Sequence, residues 1–200
     1  MKKILLPLIL LISLSPLAYA QKELREALPF KNKVTLKKAD GTFQVAELGY
    51  QEKVAQADPE KTYYWYKRDS IRHTQGAYKG RLLHGVYQEL YANKSLKILG
   101  AFYKGMKRGE WRYLDPGGKL RRTSTWHLGE ENGKYRLYNE QGKLKEKGML
   151  YKGRREGIVV HYTPQDSIKK TFTRYKHDQV SNESVRWFSK IVVGISQVLQ

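Results

Sequence analysis

The stretch Phe102-Tyr103-Lys104-Gly105-Met106-Lys107-Arg108-Gly109-Glu110-Trp111 decides the fold, because its features return along the chain every 24 residues. A fixed period of this length indicates an array of one small structural unit. The period is marked by a column of glycines, one of aliphatic residues and two that are mostly aromatic: Gly85, Gly109, Gly133 and Gly157; Leu96, Leu120, Leu144 and Ile168; Tyr87, Trp111, Tyr135 and Val159; Tyr103, His127, Tyr151 and Tyr175.

Each period contains two turn signals, of which residues 104–109 and 115–118 are one pair. Gly, Asn, Asp and Pro supply the backbone angles that reverse a chain. The runs between the turns are five to ten residues long and rich in Tyr, Trp, Val, Leu and Thr, which is typical of strands. The period therefore predicts an antiparallel β-hairpin, and the array a mainly β, elongated meander sheet. Because 24 is even, equivalent side chains should lie on the same face in every repeat.

Three stretches, 78–85, 102–111 and 151–157, resemble the glycine and aromatic pattern of MORN repeats, and Gly118-Lys119-Leu120 and Gly142-Lys143-Leu144 match its Gly-Lys-Leu. The pattern looks closest to the bacterial variant called the YwqK-like antitoxin family and covers residues 63–175. The third repeat departs from it with an acidic turn at 129–133, and the fourth has Val159 in place of an aromatic residue. The resemblance implies a hairpin array used for interaction, without catalytic residues to carry over.

Residues 1–20 have the features of a secretory signal peptide: the basic start Met1-Lys2-Lys3, an apolar run, and a small-residue cleavage site at Ala18-Tyr19-Ala20. We therefore expect a mature chain that begins at Gln21 and is exported to the periplasm or secreted. An uncleaved N-terminal anchor is the alternative. The chain has no cysteine, so it contains no disulfide and no thiolate metal site.

The flanks of the array have their own signals. Residues 21–62 form an N-terminal extension with a hairpin predicted around Asp40-Gly41. The array itself is assigned to residues 63–178, with 63–71 as a degenerate first repeat that caps it. Residues 179–200 form a C-terminal segment whose apolar residues follow helical spacing, which predicts a short amphipathic helix: Val185, Phe188, Val192, Ile195 and Leu199. A terminal strand is the alternative. The helix could cover the last sheet edge or, through 185–199, contact a membrane peripherally.

Charge indicates the class of partner. The chain has 38 basic and 19 acidic residues, and removal of residues 1–20 takes two lysines and leaves a net charge of +17. Such a field favours an anionic partner, such as a lipid headgroup, an acidic glycan or an acidic envelope protein. Export argues against nucleic acid. The alternative is that Lys and Arg only solubilise the sheet.

The candidate binding residues combine charge with aromatic rings. Lys97, Arg121, Lys145 and Lys169 form a basic column at the repeat period, and Arg112 and Arg136 continue it on the neighbouring strand type. Trp111 and Tyr135 are the aromatic candidates, because a thin sheet should expose some of its rings beside the cations. We expect a non-catalytic exported scaffold that binds an envelope protein; the alternative is peripheral binding of anionic lipid or acidic glycan.

No pattern predicts chemistry. The five histidines lack the short spacing of metal sites, and Glu130-Glu131 are strand-turn neighbours whose side chains should point apart. The chain contains no nucleophile elbow, phosphate-binding loop or dinucleotide fingerprint. We therefore predict no catalytic, cofactor or metal residues.

Overall fold

The computed structural model describes residues 32–49, 57–163 and 170–181. They form an antiparallel sheet in the order β1-β2-β5-β6-β7-β8-β9-β10-β11-β12-β13, with β3 paired to β4 and β5. The strands are β1 (Asn32–Lys37), β2 (Phe43–Leu48), β3 (Thr62–Lys67), β4 (Ser70–Gln75), β5 (Arg81–Leu90), β6 (Leu96–Tyr103), β7 (Met106–Leu114), β8 (Leu120–His127), β9 (Glu130–Tyr138), β10 (Leu144–Tyr151), β11 (Arg154–Tyr162), β12 (Lys170–Lys176) and β13 (Gln179–Val180). The predicted hairpin array is confirmed. The predicted C-terminal helix lies outside the described residues.

Two-residue turns close the hairpins at one end of the repeats. Lys104 and Gly105 have φ of 49° and 79°, and the turns one and two periods later have nearly the same values. Positive φ at both central residues matches the right-handed twist of the flanking strands. The Gly105 amide also donates to the carbonyl of Leu83 at 2.8 Å, and the turn glycines Gly129 and Gly153 repeat this bond to the preceding repeat. Each turn is thereby hydrogen-bonded to its neighbour.

The recurring glycine column, for which the sequence predicts turn or bulge positions, lies inside strands. Gly109 has a φ of 75°. Between the paired positions Leu99↔Arg112 and Ala101↔Arg108, β6 has one residue and β7 has three, of which Gly109 is one. The same offset recurs beside Gly85, Gly133 and Gly157. The column is therefore a repeated β-bulge, and glycine fits because the bulge requires the left-handed region.

One face of the sheet, which we call the inner face, is built by alternating large and small side chains. Trp111 is paired with Ser124, and Tyr135 with Gly148, across neighbouring strands. Trp111, Tyr135 and Ser124 are all buried. The small residue of each strand leaves room for the large residue of the next, and the aromatic column is divided between two core clusters, one with Tyr87 and Trp111 and one with Tyr135 and Val159.

The hairpin of β1 and β2 takes the first place in the array. The pairing of β2 with β5 contains the same bulge, with two additional residues on β5, that later repeats contain. Ala46 is fully buried and pairs with Tyr87, so it is the small residue opposite this large one. The hairpin of β3 and β4 is inserted between these strands. It contacts β5 through Trp65 and Tyr66 alone in the ladder. The sequence interpretation of 63–71 as a degenerate first repeat is therefore wrong, because β2 precedes β5 in the strand order of the array and β3 and β4 lie off that order.

This inserted hairpin closes one end of the inner face. The ring of Tyr64 lies 4.9 Å from that of Phe102, and the Tyr64 amide donates to the Gly105 carbonyl at 2.7 Å. Lys61 also forms an ion pair with Glu130 of β9. The hairpin thus covers the first repeats, as a cap does, but by folding over the face rather than by extending the sheet.

The last repeat contains one more residue than the others. Phe102, Trp126 and Leu150 are 24 residues apart and pair with the bulge glycines Gly85, Gly109 and Gly133. The next bulge glycine, Gly157, pairs with Tyr175, which comes 25 residues after Leu150. Tyr175 consequently joins the inner-face cluster of Tyr135, Leu150 and Val159. Its predicted column partner Tyr151 lies instead at a strand end and is half exposed. The prediction that Tyr175 continues the column of Tyr103, His127 and Tyr151 is therefore wrong, since the chain has one additional residue between 162 and 170.

Candidate binding surface

The two faces of the array have different chemistry. The inner face carries Tyr87, Trp111, Tyr135 and Val159, all buried. The opposite face, which we call the outer face, carries Arg112, whose side chain is 55% exposed. Because side chains alternate along a strand, a residue next to a core residue points outward unless a bulge intervenes. Any binding by the array that leaves its core intact must therefore use the outer face, a turn or an edge.

The predicted basic column lies at a second set of bulges. Glu89 pairs with Ile98, and Leu90 pairs with Leu96, so Lys97 is the extra residue between them. Its Nζ atom reaches the inner-face carboxylate of Glu89 at 2.8 Å, and this bond raises the pKa of Lys97. The first member of the column therefore serves the core of its own chain.

The other members of the column differ from one another. Arg121 lies with its Nε atom 3.0 Å from Oδ2 of Asp115 in the adjacent turn. Lys145 is exposed. Lys169 lies outside the described residues. Of the three described cations, two are thus paired with carboxylates of the chain, so the column is not a row of equivalent free charges.

Arg112 and Arg136 do lie together on the outer face. Both pair with Thr123 of the strand between them, and Thr123 is buried beneath the surface. Arg112 donates to Glu110 at 2.7 Å, and Arg136 lies 4.0 Å from the same carboxylate. One carboxylate shared by two guanidinium groups leaves net positive charge on this part of the face.

Lys147 extends this surface and was missed from the sequence. It pairs with Arg136 on one side and with Val160 on the other, so all three share the outer face. We call Arg112, Arg136 and Lys147 the outer basic row. The sequence did not reveal the strand register. The outer basic row consists of residues that are paired across neighbouring strands, whereas each sequence column contains one position of the repeat.

Trp111 and Tyr135 belong to the core. Trp111 is 2% exposed and packs edge-on against Phe102 with ring centroids 5.1 Å apart. The hydroxyl of Tyr135 donates to Oε1 of Glu146 at 2.6 Å. Their ring faces are covered by the chain itself, so the structure does not bring these two candidates together with the outer basic row.

Charged groups on the inner face are satisfied by close partners. Glu146 also lies 3.2 Å from Nδ1 of His161 and 3.5 Å from Nε of Arg155. The ammonium group of Lys107 sits 4.4 and 4.3 Å from the ring centroids of Trp111 and Trp126, and burial lowers its pKa. These are two separate sets of contacts, and each links side chains of neighbouring strands on the inner face.

The described ranges show neither a metal centre nor a membrane-spanning helix. No three His, Asp or Glu side chains there are grouped closely enough to hold a metal ion. No helix in the same ranges could cross a membrane.

No protein-family model matches the chain, and no curated protein sequence is similar to it. The resemblance to MORN repeats therefore stays a prediction from the residues quoted above.

Proposed function

We propose that this chain is a non-catalytic, exported repeat scaffold that mediates protein interaction in the cell envelope. The observation that carries the proposal is the outer basic row. Arg112, Arg136 and Lys147 are held on three strands of one hydrogen-bonded sheet, while the opposite face is used by the core. A preorganised row of cations favours an acidic protein surface, since binding then costs little ordering entropy.

The rigidity of this row has a physical source. The flanking turns are hydrogen-bonded to the preceding repeats, and the bulge offset recurs in each repeat. A strand next to a packed core fixes the positions of a residue's Cα and Cβ atoms more precisely than a loop does. Export, as the signal at 1–20 predicts, would place the row among envelope proteins, and mass spectrometry of the mature protein should find Gln21 as the first residue.

The test compares two variants of equal charge. Arg112→Gln with Arg136→Gln changes the outer basic row, and Lys33→Gln with Lys37→Gln changes exposed lysines on β1. Each protein, carrying a photo-cross-linking residue in place of Lys134, is irradiated in an envelope fraction. We expect one discrete cross-linked protein species, which is lost in the first variant and retained in the second. Both variants should melt as the parent does, because solvated substitutions change stability by about 0.5 kcal/mol or less.

Vesicles separate this function from its alternative. The same proteins are sedimented with protein-free vesicles that contain phosphatidylglycerol, and with an acidic glycan resin. Retention on the vesicles or the resin that depends on Arg112 and Arg136 would favour a lipid or glycan ligand over a protein. Equal loss of cross-linking in both variants would show that total charge alone matters, and would overturn the proposal.

A further inference from the structure

In the described part of the chain, the last long strand of the sheet has one edge that is paired only near its end. β12 pairs with β11 from Lys170 to Tyr175, whereas β13 pairs only with Tyr175 and Lys176. The Ser181 amide then donates to the Arg174 carbonyl at 2.9 Å. Among the residues that the structure describes, nothing pairs with Lys170–Thr173 on this side. Because the Arg174 carbonyl points to the open side, the backbone groups of Phe172 and Lys170 do too, since alternate residues share an edge.

The side chains at this edge are apolar and cationic. Phe172 is 41% exposed, and Val160 lies next to it on β11. Tyr162 lies between two ammonium groups, with Nζ of Lys147 at 5.9 Å and Nζ of Lys170 at 5.5 Å from its ring centroid. Neither lysine has a carboxylate partner among the described residues. Within the described part of the chain, the edge therefore offers backbone groups without a strand partner, an exposed ring and the cation of Lys170.

We propose that this edge binds an extended acidic segment of the partner protein by strand addition. The proposal rests on the proposed function and names the chemistry of the partner. Backbone hydrogen bonds to Phe172 and Lys170 supply sequence-independent affinity, and side chains that project onto the outer face supply specificity. Charge argues against a second copy of this chain, because antiparallel pairing of two such short edges would bring the Lys170 side chains of both copies close together.

The register predicts the sequence of the bound segment. In an antiparallel addition, the partner residue opposite Phe172 shares the outer face with its ring and should be apolar. The residue opposite Lys170 comes two positions later in the partner and should be Asp or Glu, where it faces the ammonium group of Lys170. The recognised pattern is thus an apolar residue, any residue, then an acidic residue.

A proline provides a selective test of strand addition. The amide of Phe172 points to the open edge, so Phe172→Pro removes a donor for the partner without removing a hydrogen bond to β11, the placement in which edge strands accept proline. Phe172→Ala removes the ring alone. The full-length protein and both variants are challenged with a displayed library of random nine-residue peptides, and enriched peptides are measured by fluorescence anisotropy.

We expect enriched peptides to share the apolar-x-acidic pattern. Phe172→Ala should bind them more weakly, and Phe172→Pro should bind them about tenfold more weakly still, as expected for one lost hydrogen bond of about 1.4 kcal/mol. Lys170→Glu should abolish binding, whereas Lys33→Glu on β1 should not. Circular dichroism melts confirm that each variant is folded.

Other outcomes overturn the proposal. Equal binding by the proline and alanine variants would show that the backbone edge is not used. Slow hydrogen exchange of the Phe172 amide in the free monomer would mean that residues 182–200 already cover the edge. A dimer that Phe172→Pro dissociates would identify a second copy as the occupant. If the envelope cross-link depends on Arg112 and Arg136 but survives Phe172→Pro, the scaffold function stands and strand addition falls.

Discussion

The indole ring of Trp111 lies directly against the backbone of Gly100. A β-carbon placed on Gly100 would come within 2.3 Å of Cδ2 and 2.4 Å of Cε2 of that ring. Gly100 also pairs with Tyr87, whose ring stacks on Trp111 with centroids 5.8 Å apart. One missing side chain therefore lets two aromatic residues of successive repeats meet in the first core cluster.

Gly100→Ala should therefore destabilise the protein by overpacking. We expect a loss of about 1–3 kcal/mol in the free energy of unfolding, because Trp111 is fully enclosed and cannot move aside. The matched control is Gly117→Ala in an exposed turn, where the nearest atom to the new carbon is 3.4 Å away. Urea titrations of the two variants measure the difference, and equal midpoints would contradict the packing account.

Gly109 should respond for a different reason. Its φ is 75°, and a β-carbon added there would meet no atom within 4 Å beyond its chain neighbours, so only backbone strain opposes a substitution. Gly109→Val should cost about 1–2 kcal/mol of folding stability. Gly109→Asn should cost less, because asparagine tolerates this conformation better. Thermal denaturation of the pair tests the bulge: similar losses for Asn and Val would mean that space, not backbone angle, sets the requirement for glycine.

Tyr113 predicts a loss of stability in alkali. Burial is the first cause that raises its pKa, to about 12 from a usual value near 10. Between these values the unfolded chain releases the phenolic proton and the folded chain keeps it, so stability is complete below pH 10 and falls as pH rises through 12. Tyr113→Phe should leave stability unchanged at pH 7 and reduce the fall between pH 9 and 11.

Urea midpoints at pH 7, 9 and 11 would measure this effect. The Tyr113→Phe variant still contains Tyr87 and Tyr135, whose pKa values are also raised, chiefly by burial. The fall in its stability is therefore reduced rather than abolished. Tyr138→Phe, on the outer face, is the control. A Tyr113→Phe profile that parallels the parent at every pH would show that this phenol does not contribute.

Tyr135→Phe should weaken the network around Glu146. The lost hydroxyl donates to a buried carboxylate, and hydrogen bonds to charged groups contribute about 1.5–3 kcal/mol. Arg155 and His161 remain beside Glu146, so the fold should survive. A double-mutant cycle with Glu146→Gln isolates the pair. Additive losses in the double variant would show that the two side chains are not coupled.

The sequence by itself determined the repeat. Alternation, two turn signals per period and an even spacing were enough for a hairpin array with Trp111 and Arg112 on opposite faces, because these depend on local backbone geometry. The glycine column was also readable as a set of positions that need unusual backbone angles. Turn and bulge stayed open as alternatives at these positions, since a bulge is defined by the partner strand.

Tertiary structure decided the rest. Lys97 belongs to the core network and Lys147 to the outer basic row, because bulges change which face a residue occupies and only strand pairing reveals them. The insertion of β3 and β4 between β2 and β5 joined two stretches that the sequence separates into extension and array. The extra residue before β12 moved Tyr175 to the inner face and Phe172 to the outer, since a shift of one residue exchanges the faces of a strand.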